Sequence, residues 1–137
     1  MYFKVKSFGG RAGRAFTLVE IMIVVAVIAL LAAIALPGFF RARDRAIAAR
    51  IRNDLRLIDS AVEQYAIETG KKSGDPAAVS DWTNYIKRDT ALYLTGEDLV
   101  GNEYGPQTVD EMPFVPIETY YELGKVADDE FWDPYNP

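Results

Sequence analysis

The chain has 137 residues, half of them apolar, and a formal net charge of −5, which bounds it to one modest domain plus whatever segment carries the excess apolar content. It contains no cysteine and no histidine. That excludes thiol catalysis, histidine general-base chemistry, disulfide staples and the usual zinc ligand sets.

In chain order, residues 1–15 come first and hold Lys4, Lys6, Arg11 and Arg14 with no acid. Residues 16–36 follow as a run of 21 in which only Thr17 and Glu20 are polar. At 1.5 Å per residue this run predicts a helix of about 31 Å, enough to cross a bilayer. A carboxylate in such a segment costs roughly 2.5 kcal/mol or more at mid-membrane depth and less near the interface. Glu20 therefore needs a partner.

The order Ala15-Phe-Thr-Leu-Val-Glu20, a basic leader before it and Pro37 closing the apolar run resemble the N-terminus of type IV pilins and type II secretion pseudopilins. The resemblance covers roughly residues 11–65. It implies removal of residues 1–15 by a prepilin peptidase, methylation of the new amine at Phe16, and use of Glu20 and Pro37 in assembly. It also implies a single-pass protein of the inner membrane with its head in the periplasm, handed by a membrane assembly platform into a helical filament of identical subunits. The family usually has glycine before the cut, where this chain has Ala15.

Physical reasoning supplies a role for Glu20 beside the resemblance. Cleavage creates an amine at Phe16, one helical turn before the carboxylate. Within one subunit the pair is awkward, but two subunits offset by about one turn can bring the amine of one to the Glu20 of the next. In low dielectric an unpaired charge is costly, so the pairing sets register. The bland alternative is an anchor whose Glu20 lies near the headgroups. Counting positive charges against the membrane points the other way, with four basic residues before the run and six just after it favouring a cytoplasmic C-terminus.

Beyond Pro37-Gly38, where a kink is expected, apolar residues recur at Ile47, Ile51, Leu55, Ile58, Val62 and Tyr65, which is helical spacing. One helix is expected from about Thr17 to Thr69, capped by Gly70. Residues 41–56 hold six arginines against Asp44 and Asp54, whereas residues 70–137 hold five basic and 14 acidic groups, so a basic stem lies below an acidic head. The acidic head argues against nucleic-acid binding. Residues 71–79 read as a linker, and Ser80 as the N-cap of a short helix over 81–87 with Trp82 in the core. Residues 98–106, with a turn at Gly101-Asn102, partly resemble the Asp-Pro-Trp-Gly-Asn-Pro-Tyr segment of major pseudopilins. Brief, edge-like strands are expected at 104–109 and 114–115, between Pro106, Pro113 and Pro116, and a helical turn or two at 118–123.

The expected fold is α+β and pilin-like: leader 1–15, a long helix 16–69 (membrane half 16–36, amphipathic half 37–69), and a small head 70–137 with a minimal antiparallel sheet. No catalytic constellation stands out, so the function expected is structural. A type II secretion pseudopilin is favoured by the missing cysteines and the partial loop match. The alternatives are a type IV pilus subunit for adhesion, motility or DNA uptake, an anchored binding protein that never polymerises, and an exported protein cut after Ala33-Ile-Ala35. Major pseudopilins commonly bind calcium near the C-terminus, which makes Asp128, Asp129 and Asp133 candidate ligands, with Asp98 or Asn102 adjacent.

Overall fold

The structure is a computed structural model and describes residues 16–137. It divides into two compact units that meet between Pro37 and Gly38. The expected leader and Ala15 lie outside the described residues.

In the first unit, α1 begins at Leu18. Its first half is built of isoleucine, valine, leucine and alanine, and an α-helix satisfies the backbone of such an apolar run internally. Apart from half-buried Ala32 the side chains are exposed, Val25 at 58% and Ile34 at 74% among them. Pro37 lies inside α1, which runs Leu18–Thr69.

The second unit, Gly38–Pro137, contains the rest of α1 together with the head, so the amphipathic half packs as part of the globular body. Ala48, Ile51, Leu55, Ile58, Ala61, Val62 and Ala66 form its buried stripe. They meet Trp82, Leu92, Tyr104, Val115, Leu123 and Trp132 in one core. Both tryptophans are fully buried, and burial of a large apolar side chain is worth about 1.5–3 kcal/mol. Gly70 ends α1 at φ 69°, and the Lys71 N–H returns to the Ala66 carbonyl at 3.0 Å, the long bond of a Schellman closure.

The sheet is smaller than expected and pairs differently. β1 (Pro76–Ala77) runs antiparallel to β2 (Gln107–Thr108), with Pro76 opposite Thr108 and Ala77 opposite Gln107. Its first strand thus comes from the stretch read as a linker. Reciprocal bonds of 3.0 Å between Gly74, Asp75 and Val109 extend the pairing. Pro106 supplies no donor, which confines the strand expected over 104–109 to its second half. Residues 114–115 form no strand. Prolines 113 and 116 flank them, and the Val115 N–H donates instead to the Tyr135 carbonyl at 2.9 Å.

Helix α2 (Val79–Thr83) starts two residues before the expected position. Ala78, not Ser80, is its N-cap, because the Asp81 carboxylate reaches back to the Ala78 N–H at 3.0 Å. Helix α3 (Ala91–Thr95) is capped by the Thr90 hydroxyl and closed by Gly96 at φ 68°. Helix α4 (Ile117–Leu123) follows Pro116, and α5 (Asp129–Trp132) turns the expected acidic tail into a capped helical turn.

Candidate functional site

The first residues of α1 form a reciprocal cap. Thr17 precedes the helix and Glu20 is its third residue, the spacing of a capping box. The Glu20 N–H donates to Thr17 Oγ1 at 3.2 Å, while Glu20 Oε2 accepts from the Thr17 N–H at 3.1 Å and from its hydroxyl at 3.2 Å. Glu20 therefore has a partner within its own chain. Both Thr17 donors use the same oxygen, so Oε1 retains its capacity to accept. Phe16 stands beside this box, 78% exposed. The sequence named Glu20 and Phe16 but missed the box, although Thr-x-x-Glu before an apolar run is its signature.

The segment that follows is the one helix among the described residues long and apolar enough to cross a membrane. Within the same helix, just beyond the apolar run, Phe39 and Phe40 are exposed and meet edge to face at 6.0 Å. Among the described residues Arg52 alone of the stem arginines hydrogen-bonds another residue: its Nη1 donates to the Phe131 carbonyl at 3.0 Å. Arg41, Arg43, Arg45, Arg50 and Arg56 are exposed. Arg41 and Arg45 line a cleft of about 700 Å³ that Lys125 completes from the turn after α4. No sequence signal pointed to Lys125, which joins the stem only through the fold.

The carboxylates of the head have local employment. Asp128 Oδ1 caps α5 by accepting the Phe131 N–H at 3.0 Å and Asp129 accepts the Tyr120 hydroxyl, while Asp133 closes α5 through its backbone N–H, which donates to the Asp129 carbonyl. Among the described residues no three acidic groups gather into a set that could hold a metal ion.

Asp98 is buried, and its Oδ1 accepts from the backbone N–H groups of Val100, Gly101 and Asn102. Its other oxygen takes the Thr119 hydroxyl, and the Asn102 side chain donates to that same hydroxyl at 2.8 Å. The turn at 98–102 is thus locked to α4 by side chains, with Asp98 as its organiser. Burial pushes the Asp54 carboxyl above the usual range; Arg50 opposes this and Asp98 adds to it.

Comparison with known proteins gives the same picture at the N-terminus. The family model for the prokaryotic N-terminal methylation motif matches residues 10–36, a span that includes Ala15, Phe16 and Glu20. The chain is 37% identical over 70 residues to the type IV major pilin protein PilA of Myxococcus xanthus (strain DK1622), a match covering 51% of this chain and 31% of that protein. It is 34% identical over 100 residues to a fimbrial protein of Moraxella nonliquefaciens, covering 73% of this chain and 56% of that one. The chain thus spans about a third and about half the length of the two relatives. No solved structure matches. The motif at the N-terminus and the two relatives make this chain similar to type IV pilin-like proteins.

Proposed function

We propose that the chain is the structural, non-enzymatic subunit of a helical filament, made as a membrane-anchored precursor, cut after Ala15 by a prepilin peptidase and methylated at Phe16. The observation that carries this is the half-engaged carboxylate at the head of an exposed apolar helix. Glu20 Oε2 is held by Thr17, which fixes the carboxylate's direction, and Oε1 is left to accept from the amine of an adjoining subunit. A box that orients one oxygen and leaves the other open serves both the fold of the single chain and the register of a stack. In this reading the exposed apolar side chains of α1 exchange lipid for one another on assembly, and Pro37 marks where the apolar run gives way to the arginine-rich stem.

Two destinations compete. The absence of cysteine and the partly pseudopilin-like 98–106 segment favour a secretion pseudopilus. The names of both relatives, a type IV major pilin and a fimbrial protein, favour a surface pilus. We give the pilus the greater weight, since those matches extend well beyond the methylation motif.

The test has two parts. Intact mass and the N-terminal peptide of the protein from its native membrane should show a chain beginning at N-methylated Phe16; a chain retaining Met1 overturns the filament reading. A deletion strain should then lose surface filaments while its exported proteins still leave the periplasm. Retained filaments with blocked export would assign the chain to a secretion pseudopilus.

A further inference from the structure

We propose that the cleft between the base of the stem and the α4–α5 turn binds the phosphate of an anionic phospholipid headgroup. The cleft has a volume of about 700 Å³ and is lined by Gly38, Arg41, Ala42, Arg45, Ala46, Lys125 and Val126. All three polar groups are cations. Arg41 and Arg45 are four residues apart, so they stand one above the other on one face of α1. Lys125 is brought opposite by the turn after α4, which the Val126 N–H closes onto the Leu123 carbonyl at 2.9 Å. The remaining wall is glycine, alanine and valine, small enough to let a phosphate approach the guanidinium groups without a competing side chain. Arginine suits that ligand, because its planar fork donates two parallel bonds to a phosphate.

The place of the cleft in the sequence selects a lipid over other anions. Gly38 is two residues past Leu36, the end of the apolar run, and Phe39 and Phe40 beside it are exposed aromatics of the kind that settle at headgroup level. Clustered basic residues at headgroup level attract anionic lipid on the cytoplasmic side of membranes, and the same charge pairing applies at this cleft. It also answers the charge conflict in the sequence. Six arginines just beyond a membrane segment oppose export of the head, and phosphates held against Arg41 and Arg45 supply the missing counter-charge. The inference rests on the membrane-anchored state proposed above and on no step of filament assembly.

The test uses the full chain in nanodiscs of phosphatidylcholine containing a minority of phosphatidylglycerol, with retained lipid read by native mass spectrometry. Wild type should keep phosphatidylglycerol in preference to phosphatidylcholine. Arg41→Gln, Arg45→Gln and Lys125→Gln should each lower that preference by about fivefold, the scale expected for one cation at an anionic surface. Arg56→Gln, which removes the same charge outside the cleft, should leave it unchanged, and Arg45→Lys should keep most of it. Far-UV circular dichroism and tryptophan fluorescence report the fold of each variant. An equal loss in Arg56→Gln would reduce the effect to bulk charge and overturn the site. Displacement of the lipid by inorganic phosphate alone would make it a free-phosphate site and overturn the lipid assignment. Unchanged lipid preference in the triple variant, with loss of crosslinking between subunits, would hand the cleft to an acidic segment of a second copy. A chain that never enters the disc overturns the anchor reading and the cleft with it. An embedded chain without lipid preference overturns the cleft alone.

Discussion

Arg52 holds Phe131 in two ways at once: its Nη1 donates to the Phe131 carbonyl at 3.0 Å, and its guanidinium carbon lies 4.6 Å from the centre of the Phe131 ring. These residues are 79 positions apart, so one side chain of α1 fastens the last helical turn of the chain to the stem. Phe131 in turn meets the buried Trp132 edge to face at 5.1 Å. The tail is therefore part of the core's closure.

Loss of this clamp should loosen the C-terminal turn without unfolding the helix. Arg52→Ala removes a charge-assisted hydrogen bond and a stacked cation at a half-buried site, together worth about 1–2 kcal/mol. Arg52→Lys should recover little, since an ammonium on a flexible stem does not reproduce the planar stack. Urea unfolding followed by tryptophan fluorescence measures the loss. A midpoint unchanged in Arg52→Ala would mean that α5 is held by Trp132 alone.

The capping box separates the two jobs of Glu20. Thr17→Ala keeps the carboxylate but removes the hydroxyl that accepts the Glu20 N–H, a cap worth about 1 kcal/mol. Its filaments should form at reduced yield. Glu20→Gln keeps an oxygen that can still accept from Thr17 but loses the charge, so it should insert in the membrane and largely fail to join filaments. Comparing the sheared filament fraction with the membrane fraction distinguishes them. Equal yields for the two variants would make Glu20 a helix cap and nothing more.

The long helix was legible because its signals are local: a 21-residue apolar run, then apolar residues every three or four positions, then glycine. Its ends, Leu18 and Thr69, lie within two residues of the expected 16–69. The head was less legible because its order depends on groups far apart in sequence. β1 hides in a stretch whose lysine, glycine and proline read as a linker, and it becomes a strand only because residues 107–109 supply its partners. Asp98 looks like one acid among many until its carboxylate gathers three backbone donors and the Thr119 hydroxyl. The basic cleft was half visible, since Arg41 and Arg45 are neighbours on a helix, but Lys125 reaches them only through the fold.

Two glycines in the left-handed region make a controlled pair. Gly70 and Gly96 have φ near 69° and 68°, so alanine is strained at both, by roughly 1–2 kcal/mol. At Gly70 an added Cβ meets nothing within 4 Å, whereas at Gly96 it would lie 2.7 Å from Val79 Cγ1 and also touch Trp82. Gly96→Ala should therefore cost clearly more than Gly70→Ala in the same denaturation assay, because the collision forces the start of α2 to shift. Equal costs would show that Val79 turns aside freely.

Tyr104 sets the alkaline limit of the head. Its side chain is buried, and among the described residues its hydroxyl has no hydrogen-bond partner. Burial, then the nearby carboxylates of Asp54 and Asp98, push its ionisation far above the ordinary tyrosine value of 10.0. Below that value both folded and unfolded chains keep the proton, and the group adds no pH dependence. Above it the unfolded chain releases the proton while the folded chain holds it, so the unfolded state binds fewer protons and stability falls as pH rises. Tyr104→Phe removes the dissociating group and the unpaired hydroxyl together while keeping the ring in place. Relief of an unsatisfied buried polar group is worth about 1 kcal/mol or more, so the variant should be at least as stable as wild type at neutral pH. Its margin should widen as pH rises past 10.0. Thermal melts of both proteins at neutral pH and in alkaline buffer test this. Parallel decline of the two curves would place the alkaline loss on other groups and show that the Tyr104 hydroxyl is satisfied in solution.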